Sequence, residues 1–592
     1  MIKKLMQSIR DYKRPAIETP VFVGIEVLFE CALPFVMAQL INHMTGESMD
    51  PIVKYGSILL VMAMLSLLFG VLAARKAATA GAGFAKNLRH DIFYAIQDFS
   101  FADVDRFSSS SLVTRLTTDV TNVQNAFQMM IRIAVRTPLM MVFSLAMSFS
   151  INPRMALLFF CVMPVIAIAL IWMIRTAMPI FRRIFKKYDA LNNSVQENIA
   201  GIRVVKSFVR EEYEREKFYR ASDEVRKDFT HVERILALNS PVMSFCMSAS
   251  MLLISFFGAK TIVNSHGTSL NTGDLSALIS YGVQLLMSIM MLSMVFVMLT
   301  MAQESARRIT EVLNYENTLH SPENPVMEVA DGSVDFNHVS FKYNEKSKRN
   351  ALTDIDLHIE SGETVGIIGG TGSSKSSLVQ LIPRLYDVTE GSVEVGGIDV
   401  RNYDVNTLRD AVAVVLQKNV LFSGTIEENL RWGDEDASDE EIRAAARSAQ
   451  ADEFIERFPE GYESGLDQGG TNVSGGQKQR LCIARALLKK PKILILDDST
   501  SAVDTATEAK IRRAFTNELR DSTKIIIAQR ISSVRDADQI IVLDEGRITG
   551  VGTHDELLRS NREYQEIYES QESGRESVLA EAAAPADGRE GD

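Results

Sequence analysis

A glycine- and serine-rich stretch that ends in a lysine lies directly after a short apolar run. The apolar run is Thr364–Ile368, and the residues that follow it are Gly369, Gly370, Thr371, Gly372, Ser373, Ser374, Lys375, Ser376 and Ser377. Glycines let backbone N–H groups close around an anion, and the helix predicted next adds partial positive charge at its N-terminus. A strand, such a loop and a helix in succession predict a nucleotide phosphate site. Lys375 is then expected to contact the β- and γ-phosphates, and Ser376 to bind Mg²⁺.

One residue departs from the usual form of this loop. Glycine normally precedes the lysine, but this chain has Ser374 there. A serine fits that position if its φ angle is negative, so nucleotide binding is expected to survive. A glycine/serine loop without a ligand is the alternative, and the strand and helix on either side disfavour it.

Two adjacent aspartates follow a second apolar run. The run covers residues 493–496 and predicts a buried strand, and Asp497 and Asp498 come directly after it. An acidic residue at the end of such a strand can hold the hydration shell of a metal ion. A charged pair that caps the next helix is the alternative, but the spacing from the phosphate loop favours metal binding. Asp497 is therefore predicted to assist Ser376 in holding Mg²⁺.

A second glycine-rich helix start lies between these two motifs. It consists of Val473, Ser474, Gly475, Gly476 and Gln477, and it opens a predicted helix over 478–489. Such a start is itself a phosphate-binding surface. One domain would not use both surfaces on one nucleotide, so the pattern suggests two domains that face each other, each completing the other's site.

The elements that must position these motifs differ between the two halves of the chain. Six stretches in the first half of the 592 residues are mostly apolar and about 20 residues long, which is enough to span a bilayer: 22–44, 52–74, 131–149, 155–178, 241–263 and 275–301. A buried soluble helix could explain any one of them but is a poor explanation of six. The second half has the pattern of a soluble α/β protein, with strand-like alternation from 333 to 341.

Composition excludes some classes of protein. The formal net charge is −12, which does not favour general nucleic-acid binding. None of the four cysteines has metal-ligand spacing, so they are expected to be unpaired packing thiols: Cys31, Cys161, Cys246 and Cys482.

The loops between the apolar stretches predict the orientation in the membrane. The long connections 75–130 and 179–240 are rich in Lys and Arg, whereas the three short ones contain a single arginine, Arg154. Basic loops stay in the cytosol, so the long loops and both termini are expected there. Residues 112–128 and 188–218 are expected to be helical continuations that project from the membrane.

The N-terminus is predicted to form an amphipathic helix on the membrane surface. Its apolar residues recur at helical spacing against lysines and arginines: Ile2, Leu5, Met6 and Ile9.

Two features of the predicted membrane spans can each be interpreted in two ways. Glu26 and Glu30 lie four residues apart inside the first stretch, where a charge usually faces a cavity or a partner. They either contact a cationic substrate or make a structural hydrogen bond, and the second reading is slightly favoured. A methionine stripe on the sixth stretch suits either helix packing or an adaptable binding surface: Met287, Met291, Met294, Met298 and Met301.

Taken together, these motifs resemble the ATP-binding cassette exporters over nearly the whole chain. In that resemblance Ser474–Gln477 matches the signature motif, with Val473 where leucine is usual. Gln417 matches the glutamine that touches Mg²⁺ and faces the membrane domain. Tyr343 matches the aromatic residue that stacks on adenine, and Asp504 ends a segment, 501–504, that looks like the D-loop. Residues 106–120 look like the first cytosolic loop of these exporters, and 207–213 like the second coupling helix.

Two departures from the family pattern concern catalysis. The family's acidic strand ends in Asp-Glu, and here the Glu position is Asp498, which is one methylene shorter. A misplacement of about 1 Å can cost about a hundredfold in rate. The family's switch histidine follows the strand predicted at 524–528, and here that position is Gln529. The site is therefore expected to bind ATP well and to hydrolyse it slowly.

The intact signature motif and the altered catalytic residues predict a heterodimer. A homodimer would combine two slow sites, whereas a partner with a normal Glu and His would pair its catalytic residues with this chain's Ser474–Gln477. The alternatives are a homodimeric exporter and a mainly regulatory, nucleotide-sensing subunit. Asp498 and Gln529 favour the regulatory subunit, and the intact signature opposes it.

The resemblance implies a membrane all-α six-helix domain and a cytosolic α/β nucleotide-binding domain with a helical subdomain. The expected boundaries are 1–14 for the surface helix, 15–310 for the membrane domain, 311–332 for a linker, 333–571 for the cassette and 572–592 for a disordered acidic tail. The implied activity is ATP-driven efflux of amphipathic drugs or lipids from a bacterial inner membrane by alternating access, with ATP, Mg²⁺, membrane lipid and a second half-exporter as partners.

Overall fold

The computed structural model describes residues 1–44, 49–344, 347–498 and 503–571. The predicted tail at 572–592, part of the loop after the first span (45–48) and Ser501 and Ala502 of the predicted D-loop lie outside these residues. The chain forms two compact units. The first contains residues 1–97 and 109–315, and the second contains Asp98–Ser108 together with the chain from Glu316 onward.

The first unit is helical throughout. Its helices, with one short helix of the second unit in sequence between them, are α1 (Ile2–Gln7), α2 (Lys13–His43), α3 (Asp50–Gln97), α4 (Phe101–Phe107, in the second unit), α5 (Ser109–Thr114), α6 (Val120–Ile151), α7 (Pro153–Ala200), α8 (Ile202–Ser207), α9 (Glu211–Leu236), α10 (Asn239–Ser265) and α11 (Thr272–Leu313). Within the described residues, six helical segments are long and apolar enough to cross a membrane, which confirms the six predicted spans.

Small residues let these helices approach closely. The buried face of α3 carries Ala73, Ala77 and Ala80, and small residues at helix interfaces allow close backbone packing in membranes. The opposite face of α3 carries large apolar side chains such as Leu60 and Leu67, which are 67% and 63% exposed. Exposed apolar side chains of this size suit a lipid surface rather than water.

The predicted N-terminal surface helix is shorter in the structure than in the sequence pattern. Helix α1 ends at Gln7, and a short turn over Arg10–Tyr12 connects it to α2. Leu5 and Ile9 are buried in the protein, whereas Ile2 and Met6 are exposed. The apolar face is therefore divided between the protein interior and the outside.

The two predicted helical continuations differ in outcome. Residues 112–128 are helical, with a π-helical turn at Arg115–Asp119. The helical continuation predicted over 188–218 is present but interrupted, because α7 ends at Ala200 and a turn separates α8 from α9. Gly201, which follows α7, costs about 1 kcal/mol inside a helix, and Val209 has a φ of +52°, which no helix accommodates.

The described part of the second unit contains three sheets, two large ones and a small one of two strands. Its elements are β1 (Val334–Phe341), β2 (Leu352–Ile359), β3 (Thr364–Ile368), α12 (Lys375–Gln380), β4 (Glu390–Val395), β5 (Ile398–Asp399), α13 (Val405–Ala411), β6 (Val412–Val415), β7 (Gly424–Thr425), α14 (Ile426–Leu430), α15 (Asp439–Ser448), α16 (Asp452–Ile455), β8 (Gly465–Leu466), α17 (Gly475–Leu488), β9 (Ile493–Asp497), α18 (Thr505–Glu518), β10 (Thr523–Ile527), β11 (Gln539–Asp544), β12 (Arg547–Gly552) and α19 (His554–Ser560). One sheet has the order β12-β11-β3-β10-β9-β6, and an antiparallel sheet has the order β2-β1-β4-β5. These sheets confirm the α/β domain that the sequence predicted.

The central strands are buried on both faces. In β9, Ile493 and Ile495 belong to one apolar cluster, and Leu494 and Leu496 belong to another. Successive side chains of a strand point to opposite faces of the sheet. When a parallel sheet is covered on both faces, the sequence of each strand is therefore a continuous apolar run. This burial fixes the ends of the strands, where the predicted site residues lie.

Candidate functional site

Most of the predicted catalytic residues follow four neighbouring strands of one sheet. Strands β3, β10, β9 and β6 are adjacent and parallel. The phosphate loop follows β3, Gln529 follows β10, Asp498 follows β9 and Gln417 follows β6. Ligands of open α/β sheets bind at the carboxyl ends of the strands, and the sheet gathers these residues at that edge.

The glycine-rich loop folds around the lysine side chain. Lys375 Nζ donates to the backbone oxygens of Gly369 and Gly370 at 2.9 and 2.8 Å, and it lies 3.3 Å from Ser373 Oγ. Burial lowers the pKa of Lys375, and the carboxylates of Asp497 and Asp498 oppose that shift. The ammonium group therefore lies within the loop and donates to three oxygen acceptors of the loop itself.

The backbone at two loop positions decides which residues are tolerated. Gly369 has a φ of +155°, and a Cβ there would lie 2.1 Å from the oxygen of Leu543, so only glycine fits. The negative φ expected for Ser374 is wrong: its φ is +74°, in the left-handed region. The loop needs the conformation that glycine adopts without cost, and the serine adopts it with strain.

The Ser374→Gly variant is expected to raise the free energy of unfolding of the nucleotide-free protein by about 1 kcal/mol, since a left-handed non-glycine residue costs about that much. Denaturant unfolding of the purified chain measures it. Ser374→Ala keeps the Cβ and removes only the hydroxyl, so it serves as the control and is expected to change little. Equal stabilisation by both variants would mean that the hydroxyl, and not the backbone, is the source of the strain.

Tyr343 lies beside α12, the helix that follows the phosphate loop. Its hydroxyl is 2.8 Å from Ser377 Oγ and 3.4 Å from Gln380 Oε1, both in α12. The ring is half exposed and packs edge-on against Tyr386, with ring centroids 5.2 Å apart. An exposed aromatic face held next to the phosphate loop suits stacking on a nucleotide base.

The residues predicted to hold Mg²⁺ supply oxygen donors. Asp497 is 5% exposed; burial raises its pKa, and a hydrogen bond from Ser376 opposes the shift. A hydroxyl, a buried carboxylate and an amide oxygen from Gln417 are ligands that Mg²⁺ prefers, and the ion usually keeps waters and substrate phosphates as its other ligands. In the described part of the chain no three His, Cys, Asp or Glu residues cluster as a metal site. The residues present therefore fit a magnesium ion that arrives with a nucleotide.

The two residues that depart from the family pattern contact each other. Gln529 Nε2 donates to Asp498 Oδ2 at 2.7 Å, and Gln417 Nε2 lies 3.5 Å from the same oxygen. Asp498 has a φ of +47°, a conformation that Asp tolerates better than most residues. One carboxylate oxygen of Asp498 thus accepts hydrogen bonds from two side-chain amides.

A residue that the sequence reasoning missed supports this pair. Gln571 Nε2 donates to the backbone oxygen of Gln529 at 2.8 Å, and Gln571 Oε1 accepts from the N–H of Ile531 at 2.9 Å. Gln571 lies far along the chain and belongs to no motif, so no sequence signal could have identified it.

The second glycine-rich surface is the exposed N-terminus of α17. Ser474 Oγ accepts from the N–H of Gln477 at 3.3 Å, and Gln477 Oε1 accepts from the N–H of Ser474 at 2.8 Å. Ser474 and Gly475 are exposed, and Val473 packs against the apolar cluster of the cassette. The first-turn N–H groups of a helix have no intrahelical partners, so this surface can bind an anion supplied from outside the domain.

Asp504 lies at another exposed helix start. It caps α18 by accepting from the N–H of Thr507 at 2.9 Å, and hydrogen bonds from Thr507 lower its pKa. It is thus a charged cap on the part of the predicted D-loop that is described.

A segment from the first predicted cytosolic loop is part of the second unit. The hydroxyls of Ser100 and Thr318 are 2.8 Å apart, and Tyr386 donates to Asp105 Oδ2 at 2.9 Å. Phe101 also packs near Tyr386, with ring centroids 6.2 Å apart. Because Tyr386 contacts Tyr343 as well, α4 and the candidate adenine-stacking ring share one tyrosine.

Tyr386→Phe is expected to loosen the docking of Asp98–Ser108. The loss of one hydrogen bond is worth ~1 kcal/mol, so amide hydrogen exchange over Asp98–Ser108 should accelerate about fivefold. Tyr403→Phe is the control, because the Tyr403 hydroxyl donates to Val395 O at 2.8 Å elsewhere in the same domain. Acceleration in both variants would show a general loss of stability instead of a local effect on docking.

The two glutamates of the first span share one basic partner. Arg136 Nη1 is 2.5 Å from Glu26 Oε1, and Arg136 Nη2 is 2.6 Å from Glu30 Oε2. The structural contact favoured from sequence is present. Arg136 was missed, although an arginine inside the third span is the signal that would have found it.

The methionine stripe lies mostly on the outside of α11. Met287, Met291, Met294 and Met301 are each between 43% and 54% exposed, and residues such as Leu285 and Ile289 on the other face are buried. In the described residues, the rest of the chain therefore covers these four methionines only in part.

Comparison with known families agrees with the two units. The family model described as ABC transporter transmembrane region matches residues 19–290, and the model described as ABC transporter matches residues 352–501. The matched segments contain the first five predicted spans, part of the sixth and the phosphate loop.

Individual relatives extend the match to the full chain. The chain is 36% identical to the ABC transporter ATP-binding protein YfiB of Bacillus subtilis, over 97% of this chain and 99% of the relative. It is 31% identical to the ATP-dependent lipid A-core flippase of Desulfotalea psychrophila, over 96% and 99%. A solved structure of a bacterial Atm1-family ABC exporter with ATP bound superposes with a TM-score of 0.79 at 26% identity, covering 98% of this chain and 100% of that one. The chain therefore belongs to the ATP-binding cassette transporter family, as an exporter half-transporter with one membrane region and one ATP-binding domain.

Proposed function

We propose that this chain is one half of a heterodimeric exporter that uses ATP to move amphipathic drugs or lipids outward by alternating access. Its own phosphate loop forms a slow ATP site, and its signature motif completes a fast site on the partner. The observation that carries the proposal is the contrast between the Asp498–Gln529 contact at 2.7 Å and the intact cap of α17 at Ser474.

The slow site follows from the reach and the hydrogen bonding of Asp498. The aspartate is one methylene shorter than glutamate, and positioning errors of about 1 Å cost about a hundredfold in rate. Its Oδ2 already accepts from Gln529, which weakens it as an acceptor for a water proton. Gln529 is neutral and has no imidazole to contact a γ-phosphate. These residues favour holding ATP over hydrolysing it.

The second phosphate surface supports the proposed heterodimer. Ser474 and Gly475 are exposed at the start of α17, and a signature motif acts on a nucleotide held by the other domain of the dimer. A partner with catalytic Glu and His would make that combined site fast. Two copies of this chain would combine two slow sites.

An exposed turn supports docking of a second chain. Phe208 and Val209, at the turn between α8 and α9, are 73% and 81% exposed, and Tyr213, in the first turn of α9, is 60% exposed. Apolar side chains clustered on a cytosolic turn favour burial by a partner, and this turn is the predicted second coupling helix.

Export and an amphipathic substrate are supported by different observations. The relatives include an exporter and a lipid A-core flippase, and the exposed methionine stripe provides adaptable apolar surface. The basic long loops support a cytosolic position for both termini. A bacterial inner membrane suits these relatives.

In the proposed cycle each residue has a distinct role. Lys375 exchanges the oxygens of Gly369 and Gly370 for phosphate oxygens, and Tyr343 stacks on the base. Bound Mg²⁺, held by Ser376, Asp497 and Gln417, would neutralise charge on the phosphates. Closure of the two cassettes over ATP is passed to the membrane helices, and hydrolysis at the fast site resets them.

ATPase assays of the purified chain, alone and co-purified with a candidate partner half, test the heterodimer. The lone chain is expected to be nearly inactive, and the pair active with about one fast site per dimer. Brisk hydrolysis by the lone chain would favour a homodimeric exporter. A partner that hydrolyses ATP by itself, and whose rate this chain only raises or lowers, would favour a regulatory subunit.

A further inference from the structure

A cleft with a charged floor lies between three membrane helices. Its volume is about 520 Å³, and helices α2, α3 and α6 line it. The residues used below are Glu26, Glu30, Leu67, Gly70, Arg132 and Arg136. We call this region the α2–α3–α6 cleft.

One buried carboxylate oxygen in this cleft has no partner. Arg136 binds Glu26 through Oε1 and Glu30 through Oε2, but Glu26 Oε2 is buried without a hydrogen bond. The Glu26 side chain is only 9% exposed. A buried acceptor left unsatisfied destabilises the protein, and the described residues supply no donor to this oxygen.

The neighbouring helix leaves room beside that carboxylate. Gly70 of α3 faces Glu26, and a Cβ at Gly70 would lie 3.1 Å from Glu26 Oε1 and 3.6 Å from Oε2. A side chain at this position would crowd the carboxylate, so glycine keeps the approach to Glu26 open.

A cation without a described ion pair lies on the same face of the cleft. Arg132 is four residues before Arg136 on α6, so the two side chains lie on one helix face. Arg132 is half-buried and lines the cleft. The floor therefore presents an unsatisfied acceptor on α2 and an available guanidinium on α6.

The depth and the open side of the cleft point to lipid. Glu26 lies four residues inside the predicted first span, which is ~6 Å along a helix, near the level of the headgroups at the cytosolic end. Leu67, on the α3 wall, is 63% exposed. A lipid can thus place its headgroup in the cleft while its chains remain in the bilayer.

We propose that the α2–α3–α6 cleft binds the headgroup of an aminophospholipid from the cytosolic leaflet. The lipid's ammonium group donates to Glu26 Oε2, and its phosphate binds Arg132. A trimethylammonium headgroup has no N–H to donate, and the hydroxyls of a glycerol headgroup are uncharged donors that bind a carboxylate less strongly than an ammonium group does. The inference rests on the proposed cytosolic position of the N-terminus, and it is independent of the asymmetry between the ATP sites.

Native mass spectrometry of the purified full-length chain, titrated with phosphatidylethanolamine, phosphatidylcholine and phosphatidylglycerol, tests this site. Phosphatidylethanolamine is expected to bind about tenfold more tightly than either other lipid, because a charge-assisted hydrogen bond is worth ~1.5 kcal/mol or more. Glu26→Gln should remove the preference over phosphatidylcholine, and Gly70→Leu should block binding of all three lipids at this site.

Arg132→Gln keeps the test decisive if Glu26→Gln fails to fold, because Arg132 takes no part in the described ion pairs of the cleft. It should weaken phosphatidylethanolamine binding about tenfold, whereas Arg175→Gln, at an exposed arginine of α7, should not. Equal binding of phosphatidylethanolamine and phosphatidylcholine would overturn the proposal. Phosphatidylglycerol binding as tight as phosphatidylethanolamine binding would overturn it too, since the site would then recognise the phosphate alone.

Discussion

Combining Asp498→Glu with Gln529→His is expected to raise hydrolysis at this chain's own phosphate loop by about a hundredfold. The glutamate recovers the reach lost with one methylene, and the histidine replaces the amide that now binds Asp498 Oδ2 at 2.7 Å. Steady-state ATPase of the restored chain, alone and with its partner, measures the gain.

The two single variants and a lysine variant locate the source of the gain. Asp498 and Gln529 are in contact, so their effects should be non-additive, with each single variant recovering much less than the pair. Adding Lys375→Ala to the double variant should remove the gain, because the lysine belongs to the same site. Activity that persists in the triple variant would mean that hydrolysis occurs at the partner's phosphate loop instead.

Ser474→Ala is expected to reduce ATPase of the co-purified pair by a hundredfold or more. Loss of one preorganised donor to developing charge costs about 10²–10³ in rate, and this surface is proposed to act on the partner's nucleotide. The helix cap itself is worth only ~1 kcal/mol. The assay measures steady-state ATPase and Tm of the same preparation.

The chain contains a matched control for the cap. Ser438 starts α15 with the same reciprocal bonds: its Oγ accepts from Glu441 N, and its N–H donates to Glu441 Oε2. Ser438→Ala should therefore lower Tm about as much as Ser474→Ala while leaving ATPase nearly unchanged. If both variants lose activity in proportion to stability, Ser474 has only a structural role.

Features encoded over a few neighbouring residues were predictable from the sequence. The strand Thr364–Ile368, the loop to Lys375 and the buried strand before Asp497 are each specified by a run of apolar or small residues, and the structure has them there. The six spans were predictable for the same reason, because a membrane requires about 20 apolar residues in succession.

The rest depends on contacts between distant parts of the chain or on backbone angles. The φ of +74° at Ser374 is set by how the loop closes on Lys375, which residue type alone does not reveal. Tyr386 and Gln571 act through partners far away in sequence. Gly201 was a local signal for a helix end, and the favourable residues around it masked that signal.

The docking of Asp98–Ser108 in the second unit has a consequence for biosynthesis. Chains are made from the N-terminus, and domains generally fold as they emerge from the ribosome. The segment with Ser100 and Asp105 is translated before its hydrogen-bond partners Thr318 and Tyr386. It therefore lacks these partners while most of the membrane helices are still being inserted. The cassette is made last, and it then binds a segment that already lies between two spans in the sequence. Expression of the cassette alone, from Glu316 onward, would therefore yield a domain whose Tyr386 surface lacks its natural cover.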